Sequence, residues 1–580
     1  MTDPADSDDT TPDPAAVAAQ VRAEFCGPGG PWETAVEDVL GQPQLVFVNR
    51  HRSVREMLVA GAGAHADVEF LVLGDSRFTY GEALDRIAAT AQRMSDEFGI
   101  GHGDRVAILA ANRPEWVITF FATVSLGGIV SALNGWWTAA EIDHAIEMTE
   151  PKLLVGDARR ISRAGSLPEG LAVVDMDDRA DLFAPSPAGE PIAMPSVAID
   201  EDDAALILFT SGTTGRSKGA TVSHRGLVGF VDGTTHNAEE KTHAALRFMG
   251  IDPAQMPAQR QILLNTSPLF HVSGLLAGVL MHLRVGSTIV FREGRFDPGD
   301  VLRLIEKERI TSWTAIGAMA PMVLDHPDLD QYDTSSLTRV GSGGAHTPEH
   351  IQQRLAEAFP QAAHAIGQGY GSSETVGVVT SIGGQEFKDN PDSAGSPCMG
   401  FEIEIRDPEG NPCPDGVDGH VNVRSAYTML GYWGDPAATA EALDDQRWLD
   451  TGDIGQLRDG RLYLNSRARD MILRGGENIY PAEIEFRLDA HPDVAEVAVM
   501  GVDHPQFGQE VKAVIVPTGA PSPSAPFDPD ALAAWCGETL AAYKVPTVWE
   551  RRNEPLPRTA SGKVVKAAIT GEREISDHQD

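Results

Sequence analysis

A run of twenty residues, ALILFTSGTTGRSKGATVSH at positions 205–224, constrains this chain more than any other feature. Its first five residues are apolar and unbroken, the pattern of a strand buried on both faces. Ser223 is a good helix N-cap, so a helix is expected to follow it. Between strand and helix lie Gly212, Gly215 and Gly219, interleaved with Ser211, Thr213, Thr214, Ser217 and Lys218. Glycines let backbone N–H groups approach an anion closely, hydroxyls add donors, and lysine adds a compact positive charge. A triphosphate or pyrophosphate requires such a set of groups. The spacing is not GxxxxGK[ST], so the machinery of the P-loop hydrolases does not follow.

Composition sharpens the point. The chain has 46 basic against 84 acidic residues, a net charge of −38, and only nine of the basic residues are lysines. A lysine inside a glycine-rich loop is therefore informative. A surface this acidic repels phosphate backbones and anionic lipid, which disfavours nucleic-acid and membrane-surface roles. The uncharged stretch 117–133 is 17 residues long and carries Gly127 and Gly128. A membrane span needs about 20 predominantly apolar residues, so a buried helix is the expectation there. Cys26, Cys398, Cys413 and Cys536 are scattered without a CxxC, which fits neither a zinc site nor a disulfide framework. Five Asp by position 13 and no basic residue before Arg22 are the opposite of a targeting peptide, and the chain is expected to be cytoplasmic.

At 580 residues the chain exceeds one hydrophobic core, and its fold class is α/β. Residues 1–30 are expected to be a mobile acidic arm. Strand-like and helix-like segments alternate through the following region, and short β-rich sequence dominates from about 402 to 464. A large domain of α/β subdomains with a β-rich subdomain is thus expected over 31–466. A hinge at 467–470 and a small mobile α+β lid domain over 471–580 complete the layout.

Further segments recur in order downstream: NTSPLFHVSG (265–274), GSGGA (341–345), GYGSSET (369–375), TGD (451–453), SRARD (466–470), RGGENIYPAEIE (474–485) and PRTASGKVVK (557–566). Singly, several of these are ordinary turns. Together with TSGTTGRSKG they resemble the adenylate-forming superfamily in its acyl-CoA synthetase branch, from about residue 45 to the end.

The resemblance implies an ATP-dependent carboxylate–CoA ligase with ATP, Mg2+ and coenzyme A as small-molecule requirements. It implies catalytic positions at Thr210, His271, Glu374 and Lys563. The nucleotide would be held by Ser211, Gly212, Thr213, Thr214, Gly215 and Lys218, with Gly343, Gly344 and Ala345 between adenine and the acyl pocket. Gly369, Tyr370, Gly371, Ser372 and Thr375 form the second nucleotide motif: Tyr370 would stack on adenine, Thr375 would reach phosphate or carboxylate oxygens, and Glu374 would hold the metal. Asp453 and Arg467 would bind ribose. Gly475, Gly476 and Glu477 would line the pantetheine path, and Lys563 would swing onto the carboxylate and α-phosphate.

Arg469 stands at the family's hinge position, where Asp or Lys is common. Amino-acid-activating relatives carry an Asp directly after the Phe of NTSPLF, to pair with the substrate ammonium. His271 stands there instead, which argues against an amino-acid substrate. The small residues Gly317, Ala318 and Ala320 leave room for a medium- or long-chain fatty acid or a bulky lipid-like acid. Rival readings are an acyl-AMP ligase that loads a carrier protein, a luciferase-like oxygenase, and a non-catalytic nucleotide-binding paralogue. The first two are weakened by the CoA-type loop and by the lack of a carrier serine motif after it. The last is weakened by the joint presence of Lys218, Glu374, Asp453 and Lys563. Oligomeric state is open, a homodimer being one option.

Overall fold

The computed structural model describes residues 13–187, 192–210, 217–255, 260–316, 319–343, 349–467, 470–474, 477–504, 507–518, 527–558 and 564–570. Two large sheets dominate. The first has seven strands in the spatial order Gly431–Tyr432, Lys218–Ser223, Ala204–Thr210, Ile129–Ala132, Arg105–Leu109, Leu153–Gly156 and Ala172–Asp175. From Ala204–Thr210 onward its neighbours pair in parallel. These strands are short apolar runs because helices cover both faces of such a sheet. Pro114–Ser125 is one such helix, with every residue but Glu115 buried.

The second sheet has 13 strands. Its parallel part runs Gly367–Ser372, Arg339–Gly343, Ser312–Ile316, Ile262–Asn265, Thr288–Phe291 and Glu69–Leu73. Beyond Gly367–Ser372 it continues antiparallel through Gly377–Gly383, Ser393–Pro397, Arg461–Arg467, Leu449–Arg458, Gly419–Arg424 and Glu402–Arg406. The β-rich stretch expected over 402–464 is this extension. The main core joins the faces of both sheets around Trp116, Phe120, Phe121, Phe70 and Phe291.

The helix expected after Ser223 is His224–Phe248, and the Ser223 hydroxyl accepts from Gly226 N at 3.0 Å. A separate five-stranded sheet starts with Ile472–Arg474 and centres on Val494–His504 and Gly508–Pro517. It has its own core under helices Pro481–Asp489 and Pro529–Gly537, as the sequence leads one to expect of a small α+β unit.

Two sequence expectations are corrected. Residues 14–26 are not a loose arm but a helix, Pro14–Cys26, whose Val17, Val21 and Phe25 form a buried stripe at helical spacing. Arg22 and Trp32 tie this region to Glu240 and Glu239 of helix His224–Phe248 at 2.8 Å each. Stretch 117–133 is not one helix: the helix ends at Ser125, Gly127 takes a positive φ of 71°, and strand Ile129–Ala132 follows. Among the described residues no helix is long and apolar enough to cross a membrane.

Candidate active site

In an open parallel sheet, ligands bind beyond the carboxyl ends of the strands. Four adjacent strands of the larger sheet end together here. Ile262–Asn265 leads into the loop that carries His271, and Ser312–Ile316 leads into the small-residue segment. Arg339–Gly343 and Gly367–Ser372 end in the two glycine motifs. Segments scattered over more than a hundred residues of sequence thus share one edge.

Two of these segments are tightly built. A Cβ at Gly371 would lie 1.7 Å from Gly377 O, and one at Gly274 would lie 1.9 Å from Pro268 O. Asn112 fixes the His271 loop by donating from Nδ2 to Ser267 O at 2.6 Å and accepting from Leu269 N at 2.9 Å. His271 itself is half-buried at the start of helix Val272–Leu275. Its ring lies 4.6 Å from that of Phe270, which meets the half-exposed Trp136 at 5.0 Å.

The seven-stranded sheet supplies the hairpin that flanks residues 211–216. Ala204–Thr210 and Lys218–Ser223 are antiparallel, with Thr210 opposite Lys218. Lys218 Nζ lies 4.9 Å from the centre of the Tyr432 ring. The Tyr432 hydroxyl donates to Glu374 Oε1 at 3.1 Å. One tyrosine thus joins the lysine of the first motif to the carboxylate of the second. Sequence reasoning passed over Tyr432; its signal was a Gly-Tyr-Trp segment with no charged group to draw attention to it.

A second link joins Tyr370, whose hydroxyl donates to Asp453 Oδ2 at 2.7 Å. Asp453 lies opposite Arg467 in the ladder between Leu449–Arg458 and Arg461–Arg467, which brings the TGD and SRARD segments together. Gly452, at φ 71°, lies just before Asp453 inside strand Leu449–Arg458, where the pairing with Gly419–Arg424 shifts register.

Thr375 departs from its expected role. It is fully buried, and its hydroxyl accepts from Ser372 N at 2.8 Å and donates to Gly377 O at 2.9 Å. In this conformation it locks the loop rather than facing a ligand. The loop is strained: Val376, a β-branched residue, has φ 56°, a conformation that costs about 1–3 kcal/mol and clusters at functional sites.

Ser211, Gly212, Thr213, Thr214, Gly215, Gly317, Ala318, Gly344, Ala345, Arg469, Gly475, Gly476 and Lys563 lie outside the described residues. For Gly343, Arg467 and Glu477 the backbone positions alone are described, all three in strands.

No group of three His, Cys, Asp or Glu side chains among the described residues could hold a metal ion. Glu374 is a lone hard oxygen donor. That fits Mg2+ arriving on nucleotide phosphates, which keeps its waters and needs one or two protein carboxylates, and does not fit a caged metal.

This edge of strand ends, with Lys218 linked through Tyr432 to Glu374, has the makings of a nucleotide site. The AMP-binding enzyme family matches residues 59–433 and the AMP-binding enzyme C-terminal domain matches residues 483–563; the chain belongs to this family. It is an AMP-forming acid–thiol ligase that uses ATP and CoA. It is 33% identical to feruloyl-CoA synthase of Amycolatopsis sp over 501 residues, covering 86% of this chain and 94% of the relative. It is 31% identical over 528 residues, 86% and 95% of the two chains, to the 3-[(3aS,4S,7aS)-7a-methyl-1,5-dioxo-octahydro-1H-inden-4-yl]propanoyl:CoA ligase of Rhodococcus jostii (strain RHA1). Among solved structures it is similar to the o-succinylbenzoate CoA synthetase of Bacillus subtilis in complex with its acyl-adenylate. There the TM-score is 0.73 at 26% identity, over 90% of this chain and 98% of that one.

Proposed function

We propose that this enzyme joins a bulky, ring-bearing apolar carboxylic acid to CoA. In the first half-reaction a carboxylate oxygen attacks the α-phosphorus of MgATP. The bond to pyrophosphate breaks, and acyl-AMP forms. In the second, the CoA thiolate attacks the acyl carbonyl and AMP leaves. No bond is made to the protein, so its contribution is positioning and charge stabilisation.

The observation that carries this reading is the pair of side-chain links, Lys218–Tyr432–Glu374 and Tyr370–Asp453, between motifs distant in sequence. They support a nucleotide lying with its phosphates toward Lys218, Thr210 and the 211–216 loop, and its metal at Glu374. Adenine would lie against Tyr370 and the Gly343, Gly344 and Ala345 segment, and ribose at Asp453 and Arg467. A carboxylate is suited to accept from both ribose hydroxyls. His271 borders the acid. Lys563 supplies positive charge to the adenylation step, and the small domain (471–580) turns on the 467–470 hinge to bring Gly475, Gly476 and Glu477 to CoA.

For the acid, the relatives named above act on aromatic or bicyclic substrates, and the Trp136–Phe270–His271 row of rings suits such a group better than a flexible chain. The test is mass spectrometry of products from pure enzyme, MgATP, CoA and a panel of acids running from acetate and palmitate to hydroxycinnamates and bicyclic propanoates. Thioesters of ring-bearing acids are expected. Palmitoyl-CoA as the dominant product would overturn the substrate assignment, and acyl-AMP accumulating without thioester would overturn CoA as the acceptor.

A further inference from the structure

The Lys218–Tyr432–Glu374 chain raises a question that the reaction alone does not. An ammonium and a carboxylate built for MgATP are each other's natural partners in the empty site, and a direct pair would neutralise both. Yet among the described residues neither Lys218 nor Glu374 enters an ion pair. Tyr432 stands with one of its groups toward each. Its ring face is offered to Lys218 Nζ at 4.9 Å, and its hydroxyl donates to Glu374 Oε1 at 3.1 Å.

The placement of Tyr432 is over-determined. It belongs to the short strand Gly431–Tyr432, which pairs with Lys218–Ser223 with Ala220 opposite Tyr432. Its backbone N donates to Thr439 Oγ1 at 2.8 Å. The neighbouring segment stitches both motifs: Met429 N donates to Glu374 O at 2.9 Å, Leu430 N to Thr221 O at 2.8 Å, and Trp433 N to Gly219 O at 2.7 Å. Arg447 braces the same segment by donating to Met429 O at 2.7 Å. Backbone bonds thus carry the lysine strand, the carboxylate loop and the tyrosine as one unit.

We infer that Tyr432 is a positioning residue for the metal–nucleotide, keeping the Lys218 ammonium and the Glu374 carboxylate apart and each aimed for its own ligand. This rests on the assignment of those two residues to MgATP proposed above. The hydroxyl orients the metal-binding carboxylate, and the ring holds the lysine by cation–π attraction without consuming its charge.

The test uses the full-length enzyme with Mn2+ and a non-hydrolysable α,β-methylene ATP analogue, without acid or CoA, and reads free Mn2+ by electron paramagnetic resonance. Tyr432→Phe keeps the ring and removes the hydroxyl. It should weaken Mn2+ binding to the enzyme–analogue complex about 10-fold, the usual penalty for losing a partner of a metal ligand. Analogue binding in the absence of metal should stay within about 2-fold, because the ring still holds Lys218. Tyr432→Leu should weaken metal-free analogue binding as well. Wild-type Mn2+ affinity in Tyr432→Phe would overturn the inference. An equal loss of metal-free binding in that variant would also overturn it, because it would reduce the residue to a packing role. A wild-type enzyme that takes up no Mn2+ with the analogue would instead overturn the assignment of Glu374 to the metal, a result distinct from either.

Discussion

Lys218 of the large unit is held differently from the lysines of the small C-terminal unit. In the small C-terminal unit, Lys512 pairs with Glu550 at 2.6 Å, Lys544 with Glu483 at 2.6 Å and Lys566 with Glu485 at 2.8 Å. In the large unit Lys152 pairs with Asp104 and Lys307 with Glu308 in the same way, whereas Lys218 meets no carboxylate among the described residues and rests against an aromatic ring. With 84 acidic residues in the chain, five of its nine lysines pair with a carboxylate among the described residues. Keeping one available for an anionic substrate takes a neutral holder, and Tyr432 supplies it. The C-terminal pairs do something else: they anchor chain. Arg558–Glu496 at 2.6 Å and Lys566–Glu485 fix the two flanks of the segment that contains Lys563, and Arg558 and Val564 form a β-bridge across its base.

The sharpest way to break this contrast is Lys563→Ala. If Lys563 is the one C-terminal lysine reserved for substrate, adenylation measured by pyrophosphate release should fall by about 10²–10³-fold or more. Thioester formation from supplied acyl-AMP should remain within a few-fold of wild type. Equal losses in both half-reactions would place Lys563 with its anchoring neighbours instead.

In the large unit, Asp453→Ala should raise the KM for ATP by about 10–100-fold, since it removes a charged acceptor for two hydroxyls. Tyr370→Phe breaks only the hydrogen bond to that carboxylate. A bond to a charged group contributes about 1.5–3 kcal/mol, so the KM for ATP should rise roughly 10-fold, with kcat changing little because the contact is made equally in ground and transition states. A change in kcat alone in either variant would separate these residues from nucleotide binding.

The motifs proposed for this site were visible in the sequence as ordered segments, several of them where strands end. An apolar run followed by glycines is visible in one dimension and pointed to Lys218, while Tyr370, Glu374 and Asp453 were named through the resemblance of the ordered motifs to the adenylate-forming superfamily. Cross-strand chemistry was hidden. Tyr432 reaches Glu374 across 58 positions through a pairing that no local pattern announces. Helix Pro14–Cys26 was hidden for a related reason: the acidic, proline-rich start dominates the composition. Its stripe of Val17, Val21 and Phe25 gains meaning only against its partner helix, where it packs with Trp32 and Phe47. Thr375 shows the reverse. Its motif position was legible, but whether its hydroxyl faces a ligand or its own loop depends on the backbone turn at Val376, with its positive φ.

The smallest effect tests the other half of the contrast, that the C-terminal charges serve the local structure. Burial, then the neighbouring Glu485, push the Asp489 carboxyl up to about 7 against the pull of Arg558, and Glu496 adds to the rise. A carboxyl raised from its ordinary 3.8 is a stability cost that appears as pH increases. Below about pH 4 both folded and unfolded chains are protonated at this group, and it costs nothing. Between about pH 4 and 7 the unfolded chain releases a proton that the folded unit retains, so stability falls as pH rises and then levels off. Asp489→Asn removes that slope. The strands Val494–His504 and Gly508–Pro517 should then gain about 1–2 kcal/mol of protection at pH 8 relative to wild type, and little or none at pH 4. Peptide-resolved hydrogen exchange, corrected for intrinsic rates at each pH, measures this. An unchanged pH slope in Asp489→Asn would mean that the group is solvated and ionised in the fold. The acidic trio Glu485, Asp489 and Glu496 would then hold the Lys563 segment with three charges rather than two.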